Sequence, residues 1–212
     1  MRPRSFAESV LEGATADLDV RETGYNTGPR VDQMLRNLGL SPGQPWCAAA
    51  VTTWIREAAE RTGMEAPIAG SALAQEVGRQ LQQAGRWFDV GELGDARETL
   101  RPGMVVVWYR GPREEGKGHI GLVERVIDEQ RFETIEGNSG DLGDGVWRRQ
   151  RETTNPLLLG AGWLDDGITL PEDAPEAEAE PSLASISLAL CVGMLGGYIA
   201  TRPALWRRIG HG

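Results

Sequence analysis

The chain is expected to fold as an α+β domain, with helices packed on an antiparallel β-sheet, and two observations lead there. In the first part of the 212 residues, apolar side chains recur at helical spacing. After Pro102-Gly103 the runs become short, β-branched or aromatic, and are broken by Gly, Pro and Asp, as strands are. Helical patterns early and strand patterns late read as a single α+β unit.

The elements follow in order. Residues 29–38 (PRVDQMLRNL) place Val31, Met34, Leu35 and Leu38 on one helical face, and Gly39 closes the run. A second helix is expected from near Trp46, after Pro42, Gly43 and Pro45, through AAAVTTWIREAAERT to Gly63. Ser71 is the expected N-cap of a third helix that ends near Gly85. Strands are expected over 104–109, 120–127, 131–136 and 146–151. Residues 1–19 read as an N-terminal extension and 20–170 as the main domain.

Composition excludes several classes. A formal net charge of −9 with no basic stripe argues against nucleic-acid binding. Two cysteines, Cys47 and Cys191, do not make a disulfide framework, and two distant histidines, His119 and His211, do not make a zinc site. The acidic stretch 139–145 (SGDLGDG) lacks the helix-loop-helix calcium spacing, so no metal and no cofactor are expected.

Three short segments carry chemistry. Cys47, in Pro45-Trp46-Cys47, falls at the first turn of the second helix, where the positive helix end favours thiolate over thiol. His119, in Lys117-Gly118-His119-Ile120-Gly121, opens a strand with glycines beside it, and its imidazole suits a general base. Glu136 and Asn138, in Ile135-Glu136-Gly137-Asn138, come from the next strand. A hairpin turning near Asp128 and Glu129 sets His119 opposite Asn138, with Glu136 two residues away on the same face. Either side chain can orient the imidazole, and the residues do not choose between them.

Together these segments resemble the CHAP family, cysteine- and histidine-dependent amidohydrolases and peptidases of the papain-like superfamily. The resemblance rests on GYNTGPRVDQMLRNLGLSPGQPWCAAAV, GKGHIGLVERV and FETIEGNSG, and covers about residues 20–163. It implies a papain-like CHAP fold and cleavage of an amide bond in peptidoglycan, either between muramic acid and L-alanine or within the peptide stem and cross-bridge. It also implies Cys47 as nucleophile and His119 as base, with Glu136 and Asn138 as polar partners. Some family members carry an acidic calcium loop before the cysteine; here 37–44 (NLGLSPGQ) has no carboxylate, and calcium dependence is not carried over. Tyr25, Asn26, Trp46 and Trp108 are candidates for contact with substrate. A non-catalytic wall-binding module and an amidohydrolase or deamidase acting on protein remain the competing readings.

The C-terminal part changes character. Residues 171–182 (PEDAPEAEAEPS) read as an acidic, proline-bearing linker. Residues 183–201 lack charge and are followed by Arg202, Arg207 and Arg208, which predicts a single transmembrane helix with a basic tail at 202–212. Gly193 and Gly197 form a small-xxx-small pair suited to a homodimer. The flanking charges place the catalytic domain outside the membrane, although MRPRSFAESV has no secretory apolar run. A phage-encoded protein acting during lysis is the alternative setting.

Overall fold

In this computed structural model, residues 4–111, 117–140 and 142–166 are described. Four helices precede the sheet: α1 (Phe6–Ala16), α2 (Pro29–Arg36), α3 (Cys47–Thr62) and α4 (Ala74–Gln83). A capping box starts α1: the Ser5 hydroxyl accepts the Glu8 N–H at 3.2 Å and the Glu8 carboxylate accepts the Ser5 N–H at 3.0 Å. Phe6, Val10 and Ala14 then stack on one face, buried against α3. Asp17, just past α1, accepts bonds from Arg30 of α2 at 2.9 Å and from the Trp54 indole of α3 at 2.8 Å. One carboxylate thereby ties three helices together.

Helix α3 is buried along most of its length because its first turns are Ala48, Ala49, Ala50 and Val51. Gly63 stops it in the left-handed conformation. Ser71 does not cap α4, which starts at Ala74 with Leu73 as its N-cap. Its hydroxyl instead accepts the Leu73 N–H at 3.1 Å in the preceding turn, while Thr52 bonds its backbone N–H and carbonyl.

The sheet contains β1 (Trp87–Asp89), β2 (Val105–Tyr109), β3 (Gly118–Val126), β4 (Arg131–Ser139), β5 (Gly145–Glu152) and β6 (Leu158–Gly162) in the order β1-β6-β2-β3-β4-β5. Every neighbouring pair is antiparallel. Alternation along the strands separates two faces. Val105, Val107, Ile120, Leu122, Ile135 and Val146 join the core formed with α1, α3 and α4. Val106, Val123, Phe132 and Ala161 join a smaller core with Leu93, Leu100 and the short helix α5 (Ala96–Thr99). The expected α+β class with an antiparallel sheet matches this arrangement.

The expected transmembrane helix is corrected. Among the described residues no helix is long and apolar enough to cross a membrane. The longest, α3, has 16 residues, about 24 Å of rise, and carries Arg56, Glu57, Glu60 and Arg61. The segments expected at 171–182, 183–201 and 202–212, with the Gly193/Gly197 pair, lie outside the described residues.

Where α3 meets the sheet, space is tight. A Cβ on Gly137 of β4 would sit 2.7 Å from the Ala50 Cβ and 2.8 Å from the Trp46 ring. Gly137→Ala should therefore cost about 1–3 kcal/mol by overpacking. Urea unfolding checks it, and an unchanged midpoint would show that this contact yields freely.

Candidate active site

The N-terminus of α3 delivers Cys47 to the sheet. Close approach is possible because Ala50 and Gly137 face each other without larger side chains. The first intrahelical bond runs from Ala50 N–H to the Trp46 carbonyl, so the N–H groups of the first turn have no acceptor within the helix. Cys47 itself keeps 6% of its surface exposed.

His119 pairs with Trp108 across β2 and β3, so their side chains share a sheet face, with ring centroids 6.0 Å apart. The His119 Nε2 donates to Glu136 Oε2 at 2.7 Å. That bond selects Glu136 as the neighbour of the ring and leaves Nδ1 for exchange with Cys47. Gly121 makes the arrangement possible in a way the flanking glycines did not suggest: a Cβ there would sit 2.6 Å from the Glu136 Cγ. The glycine makes room for the carboxylate rather than for the ring.

Glu136 is fully buried. Arg151 donates to it twice, through Nε at 2.7 Å and Nη2 at 2.6 Å, Thr134 donates at 2.6 Å and Ser139 at 3.1 Å. An isolated buried carboxylate would take a proton; this one is surrounded by donors and a paired cation. Burial opposes its charge, but the bonds from His119 and Arg151 overcome that and hold its pKa well below the usual carboxylate range. Arg151 in turn lies over the Trp108 ring, 5.2 Å from its centroid.

Asn138 takes a different place. A bulge interrupts the β4–β5 register between Glu136 and Ser139, and Asn138 adopts a positive φ of 50°. Its Oδ1 accepts the Trp46 N–H at 3.3 Å, and its amide donates to Asn26 Oδ1 at 3.0 Å and the Gly143 carbonyl at 2.8 Å. Glu22 completes this brace, accepting the Trp46 indole N–H at 2.7 Å and the Asn26 N–H at 2.7 Å. Asn138 thus fixes the loop that enters α3.

Of the residues expected to touch substrate, Tyr25 is 86% exposed, whereas Asn26, Trp46 and Trp108 are buried. Trp46 lies under the helix start and Trp108 under His119 and Arg151. Glu22, Arg110, Thr134, Ser139 and Arg151 were not foreseen. Period-two alternation alone put Thr134 on the Glu136 face, but Arg151 gave no signal beyond a charge on a strand. Among the described residues no group of His, Cys, Asp and Glu is arranged to hold a metal ion.

Electrostatics couple the sulfur and the ring. For Cys47, burial works against the thiolate, yet the hydrogen bond with His119, its charge, the charge of Arg110 and the Ala48 N–H outweigh it and lower the pKa. Burial likewise disfavours a charged His119, but its bonds with Cys47 and Glu136 prevail and push it up to about 9. Both shifts run in the direction of a thiolate beside an imidazolium, titrating as a pair. A lowered thiol pKa supplies thiolate below the pH at which a free thiol ionises, and the raised imidazole pKa means that the pair is lost as pH rises through about 9. Alkylation of the Cys47 peptide by iodoacetamide, followed by mass spectrometry, should rise at lower pH than for a free thiol. In His119→Ala, with burial unopposed by the ring, the profile should move to higher pH. Superimposable profiles would show that the ring does not activate the sulfur.

Comparison with known proteins fits this geometry. No curated protein and no solved structure matches the chain. Residues 39–138 match the family model of the CHAP domain, a segment that opens before α3 and closes at Asn138, so that Cys47, His119 and Glu136 all fall within it. Over these residues the chain is similar to the CHAP domain, the domain of cysteine- and histidine-dependent amidohydrolases and peptidases.

Proposed function

We propose that the chain cuts an amide bond of peptidoglycan through a thioester on Cys47. The CHAP domain implies hydrolysis of the amidase type on the cell wall; the residue roles and the covalent step are our reading. The observation that carries it is the buried chain of contacts from Cys47 through His119 to Glu136.

In this reading the Cys47 thiolate attacks the amide carbonyl and the oxygen gains negative charge. The Cys47 N–H, at the head of α3 and without an acceptor among the described residues, is in this reading the donor that stabilises that oxyanion. The His119 imidazolium gives its Nδ1 proton to the departing nitrogen, the C–N bond breaks and an amine leaves. Water then attacks the thioester, now-neutral His119 takes a proton from it, and the carboxylate product departs from a regenerated thiolate. Glu136 keeps the ring in one orientation throughout and stays ionised. The exposure of Tyr25, next in the chain to Asn26 of the brace, supports contact with the wall polymer.

Digestion of purified cell walls by the whole chain, Cys47→Ala and His119→Ala checks the mechanism. Each substitution should lower release of new amines by at least about 10³-fold, as loss of a nucleophile or base does. Equal release by all three proteins would discard the thioester route. Wall binding without release by the unaltered chain would favour a binding module instead.

A further inference from the structure

Arg110 is not used by the mechanism above, yet it stands at its centre. It directly follows β2 and stays in the ladder through its N–H, which donates to the Lys117 carbonyl at 2.9 Å. Two residues beyond Trp108, it shares the sheet face of His119. Its Nη2 lies 3.4 Å from His119 Nδ1.

That contact does not satisfy a guanidinium. It is long for a hydrogen bond, and when His119 is an imidazolium, Nδ1 carries its own proton and offers no acceptor. Arg30, Arg79, Arg97, Arg125, Arg131 and Arg148 pair with carboxylates, and Arg21, Arg56, Arg61 and Arg101 donate to backbone carbonyls. Arg110 is exposed and has no carboxylate partner among the described residues. Glu136 is already committed to His119, Arg151, Thr134 and Ser139. In a chain of net charge −9, a cation beside the reacting groups with no carboxylate partner among the described residues is arranged to meet an anion from outside.

Geometry says where that anion sits. Nδ1 must come within about 3 Å of the departing nitrogen to protonate it. The guanidinium, 3.4 Å beyond Nδ1, then lies roughly 4–6 Å from that nitrogen. A carboxylate on the carbon bonded to the nitrogen extends about 2.5–3.5 Å from it, which brings its oxygens into hydrogen-bond reach of Arg110. We infer that Arg110 binds a free α-carboxylate on the amine-side residue of the scissile amide. This rests on the hydrolase reading and narrows it: the bond belongs to a peptide stem or cross-bridge with that carboxylate free. The bond between muramic acid and L-alanine is excluded, since in an intact stem the alanine carboxyl is itself an amide.

The test begins with mass spectrometry of the new termini in digested walls, which identifies the amide cut. Two synthetic peptides containing that bond are then compared, one with the amine-side α-carboxylate free and one with it as the carboxamide. The whole chain should prefer the acid by about 10–100-fold in kcat/KM, the span expected for one charge-assisted contact. Arg110→Gln should bring the ratio close to 1, with Arg110→Lys between. In the Cys47→Ala background, the acid should bind more tightly than the carboxamide, and Arg110→Gln should remove the difference. Cleavage at muramic acid, equal rates on the two peptides, or a ratio unchanged in Arg110→Gln would overturn the role of Arg110 while leaving hydrolysis standing. No cleavage by the unaltered chain would overturn both.

Discussion

A negative charge held inside a β-sheet organises this molecule. Glu136 has no exposed surface, and a carboxylate there stays ionised only because Arg151, Thr134, Ser139 and His119 all donate to it. Removing any one of them leaves a buried acceptor or charge under-satisfied, which costs several times the net gain of an ordinary hydrogen bond. The carboxylate therefore does two things at once: it joins β3, β4 and β5, and it sets the orientation and charge of the imidazole. Structure and candidate chemistry share one set of contacts.

Small residues make that charge useful. Gly121 leaves the space that Glu136 fills, and Gly137 lets Ala50 and Trp46 approach β4. A larger side chain at Gly121 would displace Glu136, and one at Gly137 would push the head of α3 away from β4. The second polar cluster, Glu22, Asn26 and Asn138, holds the entering loop from the other side. The sulfur is thus positioned from below by glycine packing and from beside by hydrogen bonds, and the Ala48 N–H of the first turn faces it.

Much of this was legible from spacing. α2 and α3 followed their helical periods, and β2 to β5 their β-branched runs. The hairpin register expected from a turn near Asp128 and Glu129 appears in the pairs Leu122↔Ile135 and Val123↔Thr134, before an irregularity shifts it by one toward the turn. β1 and β6 escaped because one has three residues and the other reads Leu-Leu-Gly-Ala-Gly, with no β-branched side chain. The choice between Glu136 and Asn138 was not readable, since it depends on a bulge that turns Asn138 toward Trp46. Arg110 and Arg151 belong to no motif that would mark them in the sequence. Arg151 meets Glu136 across the β4–β5 pair and Arg110 approaches His119 from the end of β2, and the pattern within one strand does not show which side chain of its neighbour is met. The C-terminal apolar run was read by length and flanks, which describe a hydrophobic segment without establishing a membrane span.

The central claim is that the sulfur and the ring rest as an ion pair held by Glu136. Nitrogen-15 NMR of ring-labelled histidine in a His211→Ala background reads this directly. His119 should be an imidazolium, both nitrogens protonated at neutral pH, persisting until about 9 and lost at lower pH in Glu136→Gln. A neutral ring at pH 7.5, titrating near 6.5 and indifferent to Glu136, would contradict it.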